Sequence, residues 1–537
     1  MKRVVGVMLS ICCAAGVVPG GTMDIQRFVD TRIAKGETTI TIPPGRYRVV
    51  PQSKSHLTFS GLSDVTIIAD DVEMICTETL QAMTIQNCTN FTIRGLTIDY
   101  DPLPFTQGRI VKMSDDKMVH EIELFKGYPR ADSAADLKYA IFDPDTRELR
   151  YGNYFGFTVE ALASNRLRIT KDAFEARKDG GEKVGDLIVV GAKSSKGGSP
   201  HAVFCDSSQG TVLENITLYA SPSFGFYEAH CDGSTYRNCK IDRCPPEADY
   251  VQREPRLRSL NADAYHSKYA KKGPQLLGCM ARWQGDDCVN ICGAYHLVMK
   301  SNGNTLRVLA KRDMNIEPGD LVELVTVDGQ CIPDVTVVSV ERQGSATSSE
   351  KEGLKNLKLL SRTYEFLNDA YEIKVDRKVR VPFGSVISSR NRMGAGFAVK
   401  DCTFGNNRSR GILIKASDGE ITGNRIENCA SQAIKIAPEY NWLESGCSCN
   451  LTVADNTIIN PGEEAIQIHS FGDYPQHKNI EITGNKIRSN ADPLIYIGGL
   501  DGGRVQGNSV ERRDGSPVRD PVVLEHCKRV TVEKYKE

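Results

Sequence analysis

The stretch Ile421-Thr-Gly-Asn-Arg-Ile426 returns three times in altered form, as Val453-Ala-Asp-Asn-Thr-Ile458, Ile482-Thr-Gly-Asn-Lys-Ile487 and Val505-Gln-Gly-Asn-Ser-Val510. Its asparagines stand at 424, 456, 485 and 508, in steps of 32, 29 and 23 residues. Such spacing marks a stacked repeat. Each phrase has β-branched residues on both sides of a short polar bend, the composition of two strands meeting at a corner. A unit of this size cannot bury its apolar face alone, and stacking solves that problem. In a parallel β-helix every coil adds a strand to each sheet at about 4.8 Å rise, with Ile and Val columns inside and Gly or Asn at the corners. Asn424, Asn456, Asn485 and Asn508 are expected at equivalent bends, in left-handed backbone, with their amides bonding along the stack.

Working outward, the same phrasing stands at Val65 to Ile68, at Phe91-Thr-Ile-Arg-Gly-Leu-Thr-Ile98 and at Gly396-Phe-Ala-Val-Lys-Asp-Cys-Thr-Phe404. Two stretches break it. Around Gln107-Gly-Arg-Ile-Val-Lys112 and Gly185-Asp-Leu-Ile-Val-Val-Gly191, and again around Ile316-Glu-Pro-Gly-Asp-Leu-Val-Glu-Leu324, the pattern alternates like antiparallel strands. Each reads as a small β-barrel inserted in a coil turn, where a solenoid tolerates additions. The expected fold is all-β, a right-handed parallel β-helix with two inserted small β-barrel domains. Its divisions are a signal peptide over 1–21, coils over 22–100, the first insertion over 101–196 and catalytic coils over 197–294. The second insertion follows over 295–390 and the C-terminal coils over 391–537. No long amphipathic helix is evident.

At 537 residues the chain is well beyond the usual single domain, which suits an elongated architecture. Lys and Arg number 67 against 68 Asp and Glu, so no global field draws a polyanion and nucleic acid is not an expected partner. Lys2 and Arg3 precede the apolar run Val4 to Val18, which closes on small residues at Ala14, Ala15 and Gly16. That is a secretory signal, too short for a spanning helix of roughly 20 residues. The protein is expected to be exported, periplasmic, cell-surface or secreted, with no stable membrane span. A lipid anchor on Cys12 or Cys13 is not favoured. Fifteen of the 17 cysteines lie beyond the signal, an odd number that implies at least one free thiol. They are scattered, with no Cys-x-x-Cys pair, so no structural metal is expected.

Chemistry-bearing residues concentrate between the insertions, in Tyr227-Glu-Ala-His230, Asn261-Ala-Asp-Ala-Tyr-His266 and Trp283-Gln-Gly-Asp-Asp-Cys-Val-Asn290. Asp263 precedes Asp286 by 23 residues and Asp287 by 24, close to one coil. Stacked coils would bring these carboxylates within a strand spacing of each other. Clustered carboxylates suit glycoside hydrolysis, because one keeps its proton as a general acid while another, ionised, activates water. The plainer alternative is a turn pair at Asp286-Asp287 and a bend-capping Asp263.

Asn261-Ala-Asp263 followed by Gly285-Asp-Asp-Cys-Val289 resembles the Asn-x-Asp and Gly-Asp-Asp pattern of the polygalacturonase-type β-helix hydrolases. With Ile42-Pro-Pro-Gly-Arg-Tyr47, Leu96-Thr-Ile-Asp-Tyr-Asp101 and the two insertions, the chain more closely resembles glycoside hydrolase family 110, over nearly its whole length. That resemblance implies an inverting exo-acting α-1,3-galactosidase needing no cofactor. It makes Asp286 the general acid and gives Asp263 and Asp287 the attacking water. No Gly-His-Gly and no Arg-x-Lys follow the Asp pair, so a neutral sugar fits better than galacturonate.

For substrate binding, Trp283 is expected to stack under a sugar face, with His230, His266, Glu228, Asn261 and Lys415 bonding hydroxyls. Glu464, His469 and Lys435 are weaker candidates on later coils. The expected partner is an oligosaccharide or glycoconjugate with terminal α-galactose, and self-association stays open. Two other functions remain in view: a polygalacturonase-like hydrolase or lyase acting on acidic polysaccharide, and a non-catalytic glycan-binding β-helix.

Overall fold

The computed structural model describes residues 23–175, 178–192, 198–357 and 363–534, so the expected signal segment lies outside the described residues. Its main body is a parallel β-helix. A 21-stranded sheet takes two strands from most coils, and an 11-stranded sheet takes one. In one coil Gly419–Thr422 and Arg425–Glu427 join the first sheet and Ile434–Ile436 the second. Inside, like stacks on like: Phe226, Tyr265, Val289, Ile412, Ile434, Ile466 and Ile495 form one register column, all buried. Burying such columns is the main drive to stack.

At the bends the amide ladder is present, with a correction to its backbone. The positive φ belongs to the preceding residue, Gly423, Asp455, Gly484 or Gly507, and the asparagine points inward. Asn424 Nδ2 donates to Asn456 Oδ1 at 2.9 Å, and the same bond links Asn456 to Asn485 and Asn485 to Asn508. Upstream the column continues through cysteine: the backbone N–H of Cys402 donates to Asn424 Oδ1, and that of Cys279 to Cys402 Sγ. These cysteines serve as small inward bend residues, and all fifteen cysteines of the described residues are free.

Both insertions are antiparallel, but they differ. The second closes into a six-stranded barrel running from His296–Asn302 to Val386–Ser389. The first, from Phe105–Met113 to Leu187–Ala192, is a seven-stranded sheet whose end strands, Leu149–Tyr154 and Phe157–Ala163, do not pair among the described residues, so it is no closed barrel. The coil pairs across each insertion as though it were absent, Thr84 with Phe204 and Asn290 with Leu413. Their exits decide where a site can form. The first insertion leaves at the corner that precedes strands of the 11-stranded sheet, and the second leaves at the corner that follows them.

Candidate active site

Asp263 lies two residues before Tyr265, and Asp287 two before Val289; Tyr265 and Val289 are register partners. The one-coil offset therefore stacks Asp263 on Asp287 at the corner where the first insertion emerges. Asp286 lies beside them, and each of the three offers a carboxylate oxygen within 4.8 Å of the others. They line a cleft of about 500 Å³ across the outer face of the 11-stranded sheet, a volume within the usual range for small-ligand sites. Asp263 and Asp287 are 5% and 2% exposed.

Two buried carboxylates and a partly exposed one this close repel one another when ionised. Burial pushes Asp286 up, but the charges of Arg408 and Lys138 outweigh it and hold Asp286 well below the usual carboxylate range. Arg408 pairs with Asp286 directly, and Lys138 Nζ lies 3.1 Å from Oδ2. Burial raises Asp287 to about 7; Arg410 opposes this, and Asp263 and Asp286 add to it. Asp287 accepts from the Arg410 backbone N–H and guanidinium, both at 2.9 Å. Of Asp286 and Asp287, it is Asp287 that holds a proton toward neutral pH. His266 Nδ1 lies 2.7 Å from Asp263 Oδ2. Burial pulls this imidazole down, but the Asp263 bond and the Cys292 contact outweigh burial and lift it to about 10. Phe224 stacks on its ring at 4.6 Å.

Opposite, the loop between Ile434–Ile436 and Cys449–Ala454 supplies Glu439 and Glu444. Buried Lys415 lies 3.1 Å from Glu439 and 2.9 Å from Glu444, and donates to Asn290 Oδ1 at 3.0 Å. Burial works against ionising Glu444, but Lys415 and Lys268 keep it far below the usual range. His266, Cys292 and Glu444, like the aspartate trio, come close enough to share an ion, yet both groups are already met by side-chain cations.

The structure brings together Asp263, Asp286, Asp287 and His266, with Lys415 one layer behind. It does not bring the others. Trp283 is covered by the Arg243 guanidinium, 3.5 Å from its ring centroid, and is absent from the cleft lining. Strand alternation turns Glu228 inward, where it accepts from Ser267 and Tyr236 hydroxyls. His230 sits at a positive-φ bend against Tyr269, away from the cleft. Asn261 is buried and donates to Pro104 and Pro222 carbonyls, tying the root of the first insertion to the coil. Glu464 bonds Gln432 and Gln467 and does not line the cleft, nor do His469 and Lys435.

Sequence reasoning missed Lys138, Arg408, Arg410, Glu439 and Glu444. For Arg410 a signal existed. It lies two residues before Ile412, the register partner of Val289, so it stacks on Asp287 once residues 295–390 are excised.

Residues 385–475 match the family model described as "Right handed beta helix region". The chain is 23% identical to "Alpha-1,3-galactosidase B" of Bacteroides thetaiotaomicron over 95% of its own length and 87% of that protein. It is 23% identical to "Alpha-1,3-galactosidase A" of Streptomyces avermitilis over 74% of its length and 63% of that protein. A solved endo-xylogalacturonan hydrolase from Aspergillus tubingensis superposes with TM-score 0.41 at 10% identity, over 96% of this chain and 98% of that one. Coil, carboxylate trio and relatives together define a glycoside hydrolase built on a right-handed parallel β-helix. Both relatives carry the name α-1,3-galactosidase, in line with the resemblance to glycoside hydrolase family 110 that the motifs carry. No helix among the described residues is long and apolar enough to cross a membrane.

Proposed function

We propose that the protein is an exported, inverting, exo-acting α-1,3-galactosidase that removes terminal α-1,3-linked galactose from glycans such as the blood group B determinant or linear α-1,3-galactosyl chains. The observation that carries this reading is the aspartate trio in a cleft lined by six carboxylates against two guanidiniums and one imidazole. Arg408, Arg410 and His266, with Lys138, Lys268 and Lys415 behind the lining, are each paired with the cleft's own carboxylates rather than held for a galacturonate carboxylate, which disfavours the acidic-polysaccharide alternative. The first insertion rises at one edge of the sheet and the 439–444 loop at the other, which supports end-on binding of a terminal residue.

Asp286 delivers the proton to the glycosidic oxygen, and Asp263 and Asp287 hold and deprotonate the water. Arg408 and Lys138, paired with Asp286, oppose this role. Sugar hydroxyls that take over Arg408 relieve it, and the proton then passes from Asp287 to Asp286. Inversion rests on the family resemblance, since oxygens within 4.8 Å are closer than the roughly 6.5–9.5 Å acid-to-base gap usual for inverting sites.

The test is NMR of the first-formed sugar from p-nitrophenyl α-galactoside and from α-1,3-linked galactobiose. β-Galactose from both supports the proposal. α-Galactose first overturns inversion, and binding without release of galactose overturns the enzyme in favour of a glycan-binding solenoid.

A further inference from the structure

The chain has two tryptophans, and the covering of Trp283 leaves Trp442. Trp442 lines the cleft and is 57% exposed, more than Phe155, the other exposed aromatic of that lining at 45%. The turn beneath it is firmly fixed. Glu439 and Glu444 exchange two backbone hydrogen bonds of 3.0 Å across the base of the loop. Tyr440 is buried and stacks on Tyr295 at 5.1 Å, Leu443 is buried in left-handed backbone, and Lys311 donates to the Trp442 carbonyl. Tyr440 and Leu443 are anchors, and the indole between them is displayed.

The same loop carries Glu439 and Glu444, which face Arg410, Lys415 and Asn290. One short segment therefore offers an aromatic face beside two carboxylates that line the same cleft. A galactopyranose has matching chemistry. Its axial O4 leaves the opposite ring face as a contiguous patch of C–H groups, while its hydroxyls point to the rim.

Resting on the functional reading above, we propose that Trp442 is the platform on which the terminal galactosyl ring stacks, and that it sets the preference for that ring while taking no part in proton transfer. Aromatic stacking of this kind, lost on truncation, corresponds to a weakening of about five- to tenfold.

The experiment compares wild type with Trp442→Ala and Trp442→Phe by ligand-observed NMR titration with galactose and by steady-state kinetics on α-1,3-galactobiose. Expected is a five- to tenfold rise in the galactose Kd and in KM for Trp442→Ala, with kcat within about threefold, and recovery of most of the affinity in Trp442→Phe. An unchanged Kd in Trp442→Ala overturns the platform, as does a loss in kcat with KM unaltered. Wild type that binds no galactose and releases none overturns the functional reading itself, and wild type that binds galactose without turnover leaves the platform tested by the Kd comparison alone.

Discussion

Replacing Asn456 by alanine tests the internal ladder. Its Oδ1 accepts the backbone N–H of Asn424 at 3.0 Å and Asn424 Nδ2 at 2.9 Å. Its Nδ2 donates to the Ile421 carbonyl and to Asn485 Oδ1, both at 2.9 Å. Asn424, Asn456 and Asn485 are each at most 1% exposed. Alanine removes four bonds and strands two donors on Asn424 and one acceptor on Ile421, while Asn485 Oδ1 keeps the Asn456 N–H at 3.1 Å. At about 1–3 kcal/mol per stranded buried group, the two donors alone cost about 2–6 kcal/mol. Asn508 ends the ladder and is 9% exposed, so water can replace what Asn508→Ala removes, and that change costs about 1 kcal/mol. Asn456→Asp keeps the acceptor but points a carboxylate at two oxygens. It should be as damaging as alanine at pH 8 and recover in acid, when the protonated group donates again. Urea unfolding and amide exchange at Asn424 measure these effects. A cost below 1 kcal/mol for Asn456→Ala, or equal costs at 456 and 508, refutes the reasoning.

Asn replacements of Asp263, Asp286 and Asp287 should each lower kcat on α-1,3-galactobiose about 10²- to 10⁴-fold without changing the circular dichroism. On α-galactosyl fluoride, whose leaving group needs no proton, only the variant lacking the acid should stay active; if that is Asp287→Asn, the acid role moves from Asp286. Because the Asp287 carboxyl lies near 7, activity should fall as pH rises through 7, and a pH-independent rate from 5 to 9 contradicts this. A folded pKa raised from the usual 3.8 to about 7 contributes stability that is complete below about 3.8 and lost as pH climbs through 7. Asp287→Asn should therefore melt above wild type at pH 8, by at most about 4 kcal/mol in stability, with the gap closing toward pH 4. Lys138→Ala frees Asp286 from the first insertion and should lower kcat/KM about 10- to 100-fold, the lost positioning outweighing removal of a charge that opposes its protonation, with partial recovery in Lys138→Arg.

The coil was legible because its corners repeat in sequence, and Asp263 and the Asp286-Asp287 pair because no insertion separates them. Arg410 was hidden by the 123 residues that separate it from Asp287, most of them in the second insertion. Lys138 could not be read at all, since its approach depends on how an antiparallel sheet leans over the coil. Trp283 and Glu228 were misassigned for a different reason. Nearness in sequence to the aspartate trio says nothing about which face of a two-residue period a side chain takes, and alternation sent Glu228 into the core.

Uninterrupted pairing of Thr84 with Phe204 and of Asn290 with Leu413 means that neither insertion is a rung of the coil. Loops at these two exits can be lengthened, trimmed or exchanged without shifting the register that aligns the aspartates. Changes in the flanking walls can therefore alter what enters the cleft while the register of the aspartates stays fixed, and the first insertion reaches the trio itself through Lys138.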